Sequence, residues 1–332
     1  MTERFKVVIT DFISDSMEPE IRILGKVADV AAVGARTEED LVGSVEDVHA
    51  LMVYHNLTLT SETIGRLRSC KAIVRCGVGV DNIDCVSARQ RGIDVANIPD
   101  YGTEEVADTA IGMTLALARG ISLYNGRLQR KQGPWSYTQA APLRRLRGRT
   151  FGIVGLGRIG TAAALRAKSL GMEVAYYDPY KELGYDKSLG AVRVERLEDL
   201  LVKAYVVSLH CPLTEETRHM IDGEAIGRMP AGSYLVNTAR GAVVDTAILP
   251  EAIASGRLAG AGIDVPEGDP PKPEDPLILA WRDPAHPSYD RVIINPHSAF
   301  YCEEGLEEIR VKAAETCRRA LCGEPLLNVV NR

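Results

Sequence analysis

The chain has 332 residues, of which 45% are hydrophobic and 25% charged, and its formal net charge is −6. This length suits two domains, and the acidic balance disfavours nucleic acids and anionic membranes as partners. No stretch approaches the ~20 apolar residues that a membrane span needs, and the apolar part of the N-terminus is too short for a signal peptide. The cysteines and histidines form no disulfide or metal-binding pattern, so we expect a cytoplasmic protein without a metal.

From residue 6 to residue 102, short strand patterns alternate with helical ones. Helical segments such as 60–68 and 84–91 separate the strands, and this alternation predicts a small α/β unit with a parallel sheet. The predicted strands are 6–10, 49–54, 72–75 and 93–97.

A long helical pattern at 103–131 precedes a second series of alternating strands and helices. The segment 266–287 is rich in Pro and Asp and predicts a long loop. The helical tail at 303–322 follows no strand of its own, so we expect it to return to the first domain. The strands predicted in the second series are 150–154, 173–177, 205–209, 233–237, 258–263 and 292–295.

The pattern therefore predicts an α/β protein with two Rossmann-like or flavodoxin-like domains, each built on a parallel sheet. The cofactor domain, 103–299, is inserted into a discontinuous substrate domain made of 1–102 and 300–332.

A glycine triplet directly follows the strand at 150–154 and precedes a helical pattern. Gly155 allows a tight turn, Gly157 lets the backbone approach a pyrophosphate, and Gly160 lets the helix pack closely on the strand. Asp178 ends the next predicted strand, 23 residues after Gly155. Its carboxylate would accept hydrogen bonds from ribose hydroxyls and repel a 2′-phosphate, so the pattern predicts NAD rather than NADP as the cofactor.

Three polar residues, Arg240, Asp269 and His297, follow apolar strands in the second half of the chain. Ligands of open α/β sheets bind beyond the carboxyl ends of strands, so all three are placed to reach one crevice. Each also has a plainer interpretation: a surface ion pair, an ordinary loop acid and a structural histidine.

Taken in order, these motifs resemble those of the D-isomer-specific 2-hydroxyacid dehydrogenase family over essentially the whole chain. Within that family, segments 52–60, 177–180 and 296–303 look most like the C-terminal-binding-protein branch. The segments that carry the family resemblance are LMVYH (51–55), IVRCGVGVDNID (73–84), EEVAD (104–108), GLGRIG (155–160), LHCPLT (209–214), VNTARG (236–241) and NPHSA (295–299).

The resemblance implies roles for the three polar residues. Arg240 would hold the substrate carboxylate and keto oxygen, and His297 would be the acid/base. The family has a glutamate where this chain has Asp269, which is one methylene shorter. Glu267, two residues earlier, is an alternative partner for His297. Either carboxylate would favour the charged imidazole and fix its tautomer.

The resemblance also assigns the surrounding contacts. Arg75 and the backbone of Val78 and Gly79 would bind the substrate carboxylate, and Tyr54 and Phe300 would line the pocket for the substrate side chain. Asp264 would orient the nicotinamide carboxamide, although a purely structural role is also open. The remaining cofactor contacts implied are Arg158, Ile159, Cys211, Pro212, Thr217, Thr238, Ala239, Arg240, His297 and Ala299.

The implied function is NAD-dependent interconversion of a small 2-keto acid and a D-2-hydroxy acid by a homodimer that uses helix 103–131 as a contact. The alternatives are an NAD(H)-responsive, corepressor-like binding protein with weak dehydrogenase activity, and a formate or phosphite dehydrogenase. The long type of phosphoglycerate dehydrogenase is disfavoured, because the sequence ends at 332 and shows no basic group for a phosphate beyond Arg75 and Arg240.

Overall fold

The computed structural model describes residues 4–332, which divide into two compact units. The first unit is Met1–Gly102 with Tyr301–Arg332, and the second is Thr103–Phe300. The second boundary lies one residue later than the sequence suggested, so that Phe300 is grouped with the second unit. Both units are α/β, and both sheets are parallel throughout.

The sheet of the first unit has five strands in the order β2-β1-β3-β4-β5. β3 and β4 are buried along their whole length, and apart from Arg75 at the end of β4 their sequences are apolar, as expected for a parallel sheet covered on both faces. The strands are β1 (Phe5–Ile9), β2 (Ala28–Ala32), β3 (Ala50–Val53), β4 (Ala72–Arg75) and β5 (Asp94–Asn97). The helices are α1 (Glu18–Leu24), α2 (Ser61–Arg66), α3 (Cys85–Gln90) and α13 (Glu303–Cys322).

Helix α13 packs within the first unit through a buried ion pair. Arg310 donates from Nε to Glu20 Oε1 at 2.7 Å and from Nη2 to Glu20 Oε2 at 2.8 Å. Glu20 is 0% exposed, so this bidentate pair joins α1 and α13 away from water. Arg310 also contacts Asp15 at the surface.

The sheet of the second unit has seven strands in the order β12-β11-β10-β9-β6-β7-β8. The strands are β6 (Thr150–Val154), β7 (Glu173–Tyr177), β8 (Val192–Val194), β9 (Ala204–Leu209), β10 (Ser233–Asn237), β11 (Leu258–Ile263) and β12 (Val292–Ile294). The helices are α4 (Thr103–Ala118), α5 (Ile121–Gln129), α6 (Arg158–Ser169), α7 (Tyr185–Leu189), α8 (Leu197–Leu201), α9 (Gly223–Arg228), α10 (Leu249–Ala254), α11 (Pro276–Arg282) and α12 (Ser288–Arg291). Short 3-10 turns lie at Glu38–Leu41, Tyr137–Ala140, Gly241–Val243 and Thr246–Ile248.

All seven strands of this sheet end on one register line. The pairs that define the line are Val194 with Tyr177, Tyr177 with Val154, Val154 with Leu209, Leu209 with Asn237, Asn237 with Ile263, and Ile263 with Ile294. Every loop that leaves these strands therefore starts from the same edge, which is where ligands bind in sheets of this kind.

Two sequence predictions were wrong. The helix predicted at 103–131 is two helices, because Gly120 adopts φ +65° and ends the first before α5 begins. The loop predicted at 266–287 contains α11. Asp275 caps this helix by accepting from the amides of Leu277 and Ile278, whose side chains are buried.

Among residues 4–332, no single helix has the length and apolar character for crossing a membrane. α4 and α5 meet that test only when they are taken together, across a bend of 63°.

Candidate active site

The glycine triplet forms the tight strand-to-helix turn that its spacing predicts. Gly155 has φ +90°, and a Cβ at this position would lie 2.7 Å from the backbone nitrogen of Cys211. A Cβ at Gly160 would lie 2.2 Å from the carbonyl oxygen of Gly155, so only glycine lets α6 pack this close to β6. Nothing lies within 4 Å of a Cβ at Gly157. Its neighbours Arg158 and Ile159 open α6, so their first-turn amides suit a phosphate.

Asp178 lies one residue after β7 and faces a cavity of about 430 Å³. Its Oδ2 accepts from the Leu156 amide at 2.8 Å and its Oδ1 accepts from the Tyr180 amide at 3.0 Å. Each carboxylate oxygen keeps a further lone pair for a ribose hydroxyl. The predicted adenine-side residues Cys211, Pro212 and Thr217 line the same cavity.

The fit of a nicotinamide cofactor rests on this cavity, on the open space at Gly157 and on two orphaned polar atoms at the register line. Thr238 Oγ1, one residue after β10, is buried without a hydrogen-bond partner, and so is His210 Nδ1, one residue after β9. Burial lowers the pKa of His210 to about 4, so its ring is neutral at physiological pH. Buried polar atoms usually have partners, so these two point to a ligand.

Arg240 lies on a turn shaped by Asn237, which ends β10. Asn237 accepts from the Ala239 amide through Oδ1 at 3.0 Å and donates to the Arg240 carbonyl through Nδ2 at 2.9 Å. Asn237 is fully buried. Sequence reasoning did not single it out, although an asparagine two residues before a turn residue is a known turn signature.

Asp269 and His297 are in contact. Asp269 Oδ2 lies 2.6 Å from His297 Nδ1, and the two side chains are 31% and 17% exposed. The shorter aspartate thus reaches the imidazole. Phe300 packs edge-on against the same ring, with 6.2 Å between centroids.

Asp264 holds the turn that carries His297. Its Oδ1 accepts from the amides of Ser298 and Ala299, both at 3.0 Å, and its backbone oxygen accepts from the His297 amide at 2.8 Å. Burial raises the pKa of the Asp264 carboxyl, against the opposing effects of the Ser298 amide and the His297 charge. His297 has φ +51°, a conformation that a bulky residue keeps only where its surroundings impose it.

Glu267, the alternative partner of His297, contacts a different histidine. Its Oε1 lies 2.9 Å from Nε2 of His219, a residue that sequence reasoning missed. No motif marks His219, because a histidine in a loop after a strand carries no distinctive spacing.

The candidate substrate residues of the first unit lie at the end of β4 or just after β3 and β4. Arg75 is buried and donates from Nη1 to the Cys76 carbonyl at 2.8 Å. The Val78 carbonyl accepts from Asn97 at 2.6 Å, and Gly79 is half-buried. Tyr54 is only 2% exposed, and its ring stacks on Phe12 at 5.0 Å.

No cluster of three or more His, Cys, Asp or Glu side chains suited to a metal occurs in residues 4–332. The cysteines of this part of the chain are all free thiols.

The parallel sheet, its single line of strand ends and the glycine turn define a dinucleotide-binding domain of the doubly wound class. Residues 111–299 match the family model described as the NAD binding domain of D-isomer specific 2-hydroxyacid dehydrogenases. The chain belongs to this family, as its motifs predicted, and NAD is the cofactor of the matched domain. The predicted two-domain α/β fold is also confirmed.

Named relatives and solved structures agree with this assignment. A D-3-phosphoglycerate dehydrogenase from Methanocaldococcus jannaschii is 36% identical over 98% of this chain and 59% of its own length. The chain thus spans about three fifths of that relative. The structure of TT0316 protein from Thermus thermophilus has a TM-score of 0.84 at 31% identity, covering 98% of this chain and 100% of the other. D-lactate dehydrogenase from Aquifex aeolicus, complexed with NAD and lactic acid, has a TM-score of 0.85 at 29% identity, with 96% of each chain covered.

Proposed function

We propose that this protein is an NAD-dependent oxidoreductase that interconverts a 2-keto acid and a D-2-hydroxy acid. The observation that carries the proposal is the contact between His297, which follows β12, and Asp269, which follows β11. Arg240 follows β10, which pairs with β11 and ends on the same register line. An imidazole held by a carboxylate is suited to proton transfer, and a guanidinium is suited to a planar keto acid.

In the proposed mechanism, the Arg240 guanidinium binds the substrate carboxylate and polarises the keto oxygen. His297 gives a proton to that oxygen during reduction and takes it from the hydroxyl during oxidation. Asp269 orients the imidazole and stabilises its charged form. When bound, NAD(H) supplies or accepts the hydride at its nicotinamide ring. We include Arg75, Val78 and Gly79 as candidate ligands of the substrate carboxylate.

Two kinds of support bear on the substrate. Phe300 beside His297 favours an apolar side chain, such as that of a thioether or phenyl keto acid. The name of the Methanocaldococcus jannaschii relative makes 3-phosphohydroxypyruvate a second candidate. The closer likeness to the C-terminal-binding-protein branch stays a prediction, as do the homodimer and the cytoplasmic location.

The test is NADH oxidation, followed by absorbance, over glyoxylate, hydroxypyruvate, pyruvate, phenylpyruvate, a thioether keto acid and 3-phosphohydroxypyruvate. We expect turnover of at least one of them, a D-configured product, and a loss of about 10²- to 10⁴-fold in kcat for His297→Gln. His286→Gln is the matched control, because the only hydrogen bond that the structure shows for the His286 ring is the one it accepts from the Ser288 amide beside α12. Tight NADH binding without turnover on the whole panel would overturn the proposal and support the binding-protein alternative.

A further inference from the structure

The pair formed by His219 and Glu267 has no part in the proposed proton transfer. It lies in the second unit, beside the turn that follows Arg240 and the loop that carries Asp269. Glu267 stands two residues before Asp269, and His219 reaches it through Nε2 at 2.9 Å. The pair therefore connects the loop after β11 to another part of the chain.

The backbone of His219 is attached to the turn that follows Arg240. The His219 amide donates to the Ala242 carbonyl at 2.7 Å, and two residues later the Ile221 amide donates to Val243 at 3.2 Å. The turn and the loop also touch directly, because a Cβ at Gly241 would lie 2.6 Å from the Glu267 nitrogen. We call residues 240–243 the arginine turn and residues 265–270 the aspartate loop. His219 joins the two, because its backbone contacts the arginine turn and its ring contacts the aspartate loop.

The aspartate loop needs such an anchor because the chain becomes exposed to solvent just after Glu267. Val265 and Pro266 are buried, but Gly268, Asp269 and Pro270 are exposed. Gly268 has φ +69°, and nothing lies within 4 Å of a Cβ at this position. A glycine in open space gives the backbone freedom to move. Glu267 and Asp269 are the two residues that flank this glycine.

We propose that His219 and Glu267 are positioning residues, which keep Asp269 within hydrogen-bonding distance of His297. This inference rests on the proposed role of His297 as the acid/base. The pair acts through a hydrogen bond from the His219 ring to an acceptor at residue 267, so the negative charge of Glu267 is not itself required.

The test compares Glu267→Ala, which removes the acceptor, with Glu267→Gln, whose amide oxygen retains it. We expect Glu267→Ala to lower kcat about 5- to 10-fold, as the loss of one hydrogen bond allows, with less than about a twofold change in the KM of the keto acid. Glu267→Gln should rescue most of this loss. In an Asp269→Asn background, Glu267→Ala should cost less than about twofold more, because residues that act through one another are not additive.

Hydrogen exchange supplies a readout that does not depend on activity. The amides of Val265, Glu267, Gly268 and Asp269 should exchange faster in Glu267→Ala and in His219→Asn, and at the wild-type rate in Glu267→Gln. His219→Asn is chosen because asparagine tolerates the φ of +49° at this position but is too short to replace the ring. Glu224→Ala, which removes an exposed ion pair with Arg228 on α9, is the matched control.

Three results would overturn the inference. The first is an equal loss of kcat in Glu267→Ala and Glu267→Gln, and the second is a further 5- to 10-fold loss of kcat when Glu267→Ala is added to Asp269→Asn. The third is an unchanged exchange rate in Glu267→Ala. A wild-type protein that turns over no keto acid would instead refute the proposed function, while the exchange rates would still decide whether the pair anchors the loop.

Discussion

Gly241→Ala is the substitution for which the structure gives the clearest expected magnitude. A Cβ at residue 241 would lie 2.2 Å from the Pro266 carbonyl oxygen and 2.4 Å from its carbon. Ordinary van der Waals contact starts at 3.4 Å, so the two backbones would have to separate by about 1 Å. Asn237 and Asp264 fix the strand ends, so this movement falls on the arginine turn and the aspartate loop.

The expected cost follows from that movement. Overpacking of a tight contact costs about 1–3 kcal/mol of unfolding free energy. A displacement of about 1 Å at a catalytic group costs on the order of 10²-fold in rate. We therefore expect Gly241→Ala to lower the melting temperature by roughly 5 °C and kcat/KM about 100-fold.

Thermal unfolding and steady-state NADH oxidation measure both effects on one preparation. Gly227→Ala is the control, because nothing lies within 4 Å of its Cβ and it stands inside α9. That variant should gain about 0.5–1 kcal/mol of stability and keep its activity. A Gly241→Ala protein with wild-type stability and turnover would refute the argument from backbone contact.

Three further predictions concern the cofactor, the first unit and a thiol. Asp178→Ala should raise the KM for NADH about 10-fold and reduce the preference for NADH over NADPH, measured by kinetics with both cofactors; an unchanged preference would contradict the role of Asp178. Glu20→Ala should lower the free energy of unfolding by about 3 kcal/mol in urea, because it leaves the Arg310 charge buried, whereas the exposed Glu18→Ala should have little effect. Burial raises the pKa of Cys211 to about 11, so only about 10⁻³ of this thiol is ionised at pH 8. Iodoacetamide should therefore label the exposed Cys322 far earlier than Cys211, which mass spectrometry would detect. Early labelling of Cys211 would show that the adenine-side cavity is more open than the structure has it.

The sequence predicted the strands of the second sheet well, because each is a short apolar run bounded by glycine, proline or charge. It did not predict β2 and β8, each of which lies at one edge of its sheet. Both have exposed positions, and their sequences lack the continuous apolar run that marks a strand buried on both faces.

Around the candidate site, residues in sequence motifs were predictable and their partners were not. Arg240 and His297 stand beside strand ends, where the pattern itself indicates a position. The choice between Asp269 and Glu267 depends on which histidine each one meets, and that depends on the path of a loop. His219 lies 48 residues from Glu267 along the chain, so no local pattern links them.

The single line of strand ends has a consequence for how such a domain can diverge. Gly155, Asp178 and Cys211 leave the half of the line formed by β6, β7 and β9, while Arg240, Asp264 and His297 leave the half formed by β10, β11 and β12. Loops from one half can lengthen or change sequence without moving the strands that support the other half. A loop graft confined to β10–β12 would therefore leave the glycine turn at Gly155 and the carboxylate of Asp178 in place.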